Sequence, residues 1–232
     1  MKNAKPWSCF EKAGFGFAMF MLGICAHHFY VNRGVLPEIG FRTHFTTEVE
    51  DALIDEVVAK MPTQVVDSVK MVVRVSDVWD GIAARHIQDK AVKGVILIGD
   101  YADAGPEEYR VWFSRIIRHE FTHSFASNLP EEAWEELANI IPPSSYVGHD
   151  YPKLHKLDFP SDGFAQPYAR KDLDEYVGVL GEEMFTFLSG ENSAFDHFDR
   201  SQPVWGRVFD WALRWNFMDE RSHGRLMALL ND

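Results

Sequence analysis

Arg118-His119-Glu120-Phe121-Thr122-His123 places two histidines four residues apart, with a glutamate directly after the first. On a helix, residues i and i+4 lie one above the other, so both imidazoles can reach one point. The glutamate beside them can take a proton from a water activated there, which makes this the donor pattern of a hydrolytic zinc centre. The flanking sequence agrees. Gly105-Pro106-Glu107-Glu108 reads as a helix start, with Pro at the first position and two acids where the helix dipole favours them. The pattern predicts a helix to about Ser127, with Trp112, Ile116, His119 and His123 on one face at spacings of four, three and four. A pair of buried histidines satisfied by core hydrogen bonds is the plain alternative; Glu120 between them favours the metal.

The chain has 232 residues, 46% of them hydrophobic, enough to build one globular domain or a small two-lobed one. A formal charge of −12 argues against nucleic acid or anionic lipid as the main partner, because both demand a basic surface. The two cysteines, Cys9 and Cys25, form no Cys-x-x-Cys pair, so neither a disulfide framework nor a thiolate zinc site is expected.

Residues 1–31 carry Lys2, Lys5 and Lys12 ahead of a nearly continuous apolar run, Ala13–Ala26, the layout of a signal peptide or single-pass membrane anchor. Lysines before the run put the following domain outside the cytoplasm. Ile24 two positions before Ala26 makes a poor cleavage site, which favours an uncleaved anchor over export; a buried N-terminal helix is the alternative. Residues 32–45, with Gly34, Pro37 and Gly40, read as a linker into a domain over 46–232.

Thr47-Glu48-Val49-Glu50 is a capping box opening a helix to about Lys60, with Val49, Ala52, Leu53 and Val57 inward and Met61-Pro62 as its stop. Val69–Val75 and Lys93–Ile98 read as strands; Trp79-Asp80-Gly81 marks a turn, and 82–92 takes no assignment. Helix, then sheet, then metal helix predicts an α+β domain whose small mixed sheet roofs a cleft floored by the metal helix. The C-terminal part is mostly helical: Pro130–Ile141 with Trp134 and Leu137 inward, then a long Gly/Pro/Asp/Ser-rich segment over 144–167, then a helix from Asp172 to about Leu188. Leu173, Tyr176, Val177, Leu180 and Met184 form the apolar face of that helix. Helices near 203–217 and 219–230 finish the chain.

A catalytic zinc takes three protein ligands and keeps a position for water. A metzincin continuation would need Gly and His where Ala126 and Leu129 stand, and a thermolysin-like glutamate would fall near Pro143. What remains is the downstream helix with Glu175, Glu182 and Glu183. Glu175 is also the third helical residue after Asp172, where a capping-box glutamate folds back on the cap amide. His149, His155 and His223 have no partner at helical spacing and read as surface or loop residues.

Gly163-Phe164-Ala165-Gln166-Pro167-Tyr168-Ala169, with Glu175-Tyr176-Val177 seven residues after the tyrosine, resembles the catalytic domain of anthrax lethal factor and its bacterial relatives, over roughly Arg110 to Phe187. The resemblance implies a zincin-like metallopeptidase: His119, His123 and Glu175 as ligands of Zn(2+), Glu120 as general base, and Tyr168 as oxyanion stabiliser. It departs from the family at Val179, where relatives carry a second acid; Glu182 or Glu183 takes that role or it is absent. The expected activity is hydrolysis of peptide bonds in a peptide or protein substrate, laid as an extended segment along the sheet edge formed by residues 93–99. A zinc-stabilised scaffold domain without catalysis is the rival reading.

Overall fold

The computed structural model describes residues 42–44, 46–75, 84–87, 93–99, 106–148, 164–198 and 201–231, all within one unit, Gly40–Asp232. The apolar run Ala13–Ala26, the turn at Trp79-Asp80-Gly81, and His149 and His155 lie outside these residues. Among the described residues no helix is long and apolar enough to cross a membrane.

The chain begins with β1 (Arg42–His44), a strand inside the segment expected to be a linker, and enters α1 (Glu48–Val58). Thr47 accepts from the Glu50 amide and Glu50 returns a carboxylate oxygen to the Thr47 amide, so the capping box forms as expected. The buried face of α1 differs from the expected one. Leu53, Ile54 and Val57 are buried, whereas Val49 is 65% exposed and Ala52 also faces out. Glu50 causes the shift: its side chain takes the inward position, where Tyr109 and Arg74 also bind it.

Met61-Pro62 ends α1 and starts a short second helix, α2 (Thr63–Ser68), followed by β2 (Met71–Arg74), β3 (Ala84–His86) and β4 (Val95–Ile98). The sheet runs β1-β2-β4-β3. β1, β2 and β4 are parallel, and β3 lies antiparallel to β4 in the register Ala84↔Ile98, Arg85↔Leu97, His86↔Ile96. Among the described residues β4 is therefore an interior strand and β3 an edge; the expected docking edge at residues 93–99 is already paired on both sides. Residues opposite one another share a face, so Ala84 and His86 project to the same side as the buried Ile96 and Ile98.

Against that side packs α3 (Pro106–Ala126), the motif helix, whose C-terminal half from Arg115 to His123 meets α5 (Leu173–Leu188). The fully buried stripe of α3 is Phe113, Ile117 and Phe121, one position on from the expected Trp112 and Ile116, which are half-buried. The offset leaves His119 and His123 on the flank of the core rather than at its centre. α5 buries Tyr176, Val177, Leu180 and Met184 as expected, and Val179 as well, whereas Leu173 in its first turn is half-buried. Gly181 comes so close to Thr122 that a Cβ there would overlap the threonine side chain. Between the two helices lie α4 (Glu131–Ile140) and a short 3-10 turn, Pro167–Arg170; α6 (Pro203–Arg214) and α7 (Glu220–Leu229) close the C-terminal part. The Trp211 indole donates to the Ala133 carbonyl at 2.8 Å, fastening α6 to α4.

Candidate metal centre

His119 and His123 occupy successive turns of α3 and turn their Nε2 atoms toward each other, 3.0 Å apart. Glu175 reaches them from the first turn of α5. Its Oε2 lies 3.2 Å from His119 Nε2 and 3.5 Å from His123 Nε2. One ligand atom from each of the three residues falls within 4.8 Å of the others. The local sequence explains why Glu175 points here. Asp172 caps α5 by accepting from the Glu175 amide at 2.9 Å, and the Glu175 carboxylate goes to the histidines instead of returning to the cap.

The other ring nitrogens are held by carboxylates. His119 Nδ1 lies 3.3 Å from Glu182 Oε2, and His123 Nδ1 lies 3.2 Å from Asp174 Oδ1. Such contacts fix the ring orientation and, once the imidazoles are neutral, the tautomer that leaves Nε2 as a lone-pair donor. Glu182 is thus on the far side of the His119 ring from Glu175, with its Oε1 bound by Arg115 at 2.7 Å and Gln166 at 3.2 Å. Glu183 is fully buried, shares Arg115 and Gln166 with Glu182, and also binds Ser193 and the Ala194 amide, away from the histidines. Of the three glutamates left open by the sequence, Glu175 stands on the Nε2 side.

Gly178, one turn after Glu175, makes this approach possible. A Cβ there would stand 2.6 Å from His123 Nε2 and 2.7 Å from His119 Nε2. The donor set of two imidazoles and one carboxylate, with both outer nitrogens anchored, fits a divalent zinc.

Charge in the site is balanced by the protein's own groups. Burial opposes charging of His119, but hydrogen bonds to Glu175 and Glu182 push it up to about 9. Burial likewise opposes charging of His123, and contacts with Asp174 and Glu175 raise it to about 10. Burial would raise Glu175; the two histidines and Lys171 hold it far below the carboxylate range. Glu120 is different. Burial pushes its carboxyl up, only partly offset by the histidines and by the His86 amide, which donates to Oε2 at 2.5 Å.

Tyr168 stands beside the three donors, its hydroxyl donating to Glu175 Oε1 at 2.9 Å and its ring centroid 6.1 Å from that of His119. His223 is remote from the centre and pairs with Asp210. Four neighbours were not evident in the sequence: Lys171, Asp174, Gly178 and His86. The pair Gly178 and Gly181, three apart on a helix, was the available signal, since glycine there costs about 1 kcal/mol each and implies close approach. His86 falls in the unassigned stretch; its ring Nε2 has no hydrogen-bond partner among the described residues, and burial followed by the charge of His123 pushes it down to about 4.

Neither a protein-family model nor a curated protein matches the sequence. A solved structure from Bacteroides caccae, described as a candidate zinc-binding metallo-peptidase, is similar to the chain at 14% identity and a TM-score of 0.37, over 83% of this chain and 77% of that one. A likeness that loose leaves the functional reading to the site's own geometry.

Proposed function

We propose that the domain is a zinc-dependent peptidase of the zincin type, with His119, His123 and Glu175 as the ligands, Glu120 as general base and Tyr168 as oxyanion donor. The observation that carries this reading is the convergence of two Nε2 atoms and one carboxylate oxygen within 4.8 Å beside the buried Glu120. The spacing from Tyr168 to Glu175, which resembles the lethal factor catalytic domain, supports it further. Zinc in such a set acts as a Lewis acid that polarises a carbonyl and acidifies water.

The chain's own groups have separable tasks. The His86 amide fixes Glu120 Oε2, which leaves Oε1 to take a proton and pass it to the leaving amine. Burial raises the proton affinity of that carboxyl, bringing it nearer the strength a base needs at neutral pH. Tyr168 rests on Glu175 Oε1 and would turn its hydroxyl to a developing oxyanion, a contact worth about 3–4 kcal/mol.

The substrate side of the reading moves to β3. Ile87 donates to the Val95 carbonyl, so in the antiparallel ladder alternate residues face β4, and the backbone of Ala84 and His86 faces outward. His86 already serves Glu120. Ala84 is then the residue to which an extended peptide would pair by strand addition.

The testing experiment compares chelator-sensitive cleavage of a peptide mixture by the chain and its Glu120→Gln variant, each with measured zinc. Cleavage by the parent with loss of about 10² or more in the zinc-loaded variant is expected; equal cleavage rejects the reading, and zinc binding without cleavage by either supports a scaffold. The lysines ahead of Ala13–Ala26 support a membrane-anchored or exported protein. A C-terminal reporter active only outside the cytoplasm tests that; a silent fusion on a soluble chain rejects it.

A further inference from the structure

The two oxygens of Glu175 have different neighbours. Oε2 faces the histidine nitrogens, while Oε1 is 2.5 Å from Lys171 Nζ and 2.9 Å from the Tyr168 hydroxyl. Lys171 is itself enclosed. Its side chain is 13% exposed, and its Nζ lies 3.3 Å from the Tyr168 hydroxyl and 5.2 Å from the tyrosine ring centroid. The residue closes the 3-10 turn Pro167–Arg170 and directly precedes the Asp172 cap, so its backbone is fixed relative to Glu175. A cation held this tightly beside the carboxylate of a donor set has a consequence for that set.

Resting on the zinc reading above, we infer that Lys171 is a positioning residue that presents Glu175 to the metal through one oxygen. A carboxylate free at both oxygens can take two coordination positions, which in a three-residue site consumes the place needed for water or a substrate carbonyl. The Lys171 ammonium occupies Oε1 and leaves Oε2 as the donor. Tyr168 also touches Oε1, but the proposed reaction calls its hydroxyl away to an oxyanion. Lys171 has no such second task, so it keeps Oε1 engaged while the tyrosine turns. The charge serves this better than a neutral donor, since a charge-assisted hydrogen bond is roughly twice as strong as a neutral one.

The test replaces zinc by cobalt(II) in the full chain and reads the d–d absorption, which is intense for a four-coordinate ion and weak when coordination rises. The parent should give the intense spectrum. Lys171→Met should lose several-fold in intensity as Glu175 engages through both oxygens; Lys171→Arg should restore it, and Tyr168→Phe should leave it unchanged. A general loss of structure would not be rescued by arginine alone with the tyrosine variant intact. Parent-like intensity in Lys171→Met, or a weak spectrum in the parent, overturns the inference. If Lys171→Met does not fold, X-ray absorption of the zinc-loaded parent decides, because two-oxygen binding draws the carboxyl carbon closer to the metal; a short metal-to-carbon distance overturns it. A parent that binds neither cobalt nor zinc removes the metal-site reading itself, an outcome distinct from the others.

Discussion

Gly178 sets the backbone of α5 against the ring of His123, such that a Cβ on the glycine would stand 2.6 Å from His123 Nε2. The same added atom would meet His119, so the helix pair and the donor set share one tight contact. On an exposed helix Gly→Ala gains about 1 kcal/mol. At this position the sign should reverse: Gly178→Ala should melt lower than the parent in chelator and bind zinc about 10–100-fold more weakly, the range for changes that displace supporting contacts. A melting temperature above the parent's with unchanged zinc affinity would show that the histidines are not packed on Gly178.

The placement of Glu175 and Glu182 on opposite sides of the His119 ring gives their amide variants different outcomes. Glu175→Gln removes a charged donor and should lose most zinc at micromolar metal. Glu182→Gln should retain the metal with affinity lowered about 10–100-fold, as expected of a group that orients a ligand. Tyr168→Phe should keep zinc and nearly unchanged KM while kcat falls by about 10²–10³. Metal analysis of the three purified variants beside the parent checks the order; full zinc in Glu175→Gln together with loss in Glu182→Gln would reverse the assignment.

The sequence made the motif helix α3, the capped α5 and most of its apolar face legible because each rests on local periodicity and caps. Its limits are equally physical. Glu50 was readable as a capping residue, yet its burial and the outward turn of Val49 follow from Arg74 and Tyr109, 24 and 59 residues away. The three-residue β3 carries no alternating apolar pattern, since its middle residue is Arg85 and its last is His86. With β3 unseen, β4 looked like an edge and the anchor of Glu120 was missed. Asp174 and Lys171 sit in the site through the turn geometry around Asp172, which no spacing rule anticipates.

Glu50 also links stability to pH. Burial would raise its carboxyl, but hydrogen bonds from the Thr47 amide, Tyr109 and Thr47, with the charge of Arg74, hold it below the ordinary 4.5. A depressed carboxylate contributes stability above its unfolded value, and the contribution is lost as pH falls through the folded one. Glu50→Gln should therefore cost about 1–3 kcal/mol at pH 7. Denaturant melts of parent and variant should converge as pH drops below 4.5; a gap that stays constant or widens on acidification would rule this origin out.

The outward backbone of β3 provides the test of how substrate is held. In the antiparallel ladder with β4, Arg85 and Ile87 are turned inward and Ala84 and His86 outward, with the His86 amide committed to Glu120. Ala84 alone among these offers an outward N–H to an extended peptide. Proline is tolerated on an edge strand where its missing N–H would face away from the sheet. Ala84→Pro should therefore leave zinc content at the parent level but raise KM for a cleaved peptide by about tenfold or more, the loss of one backbone hydrogen bond of about 1.5 kcal/mol together with an unsatisfied carbonyl on the substrate. Arg85→Ala, whose side chain is exposed on the opposite face, serves as the control and should cleave like the parent. Unchanged KM in Ala84→Pro would place the substrate away from the β3 edge, and equal losses in both variants would point to general damage to the strand.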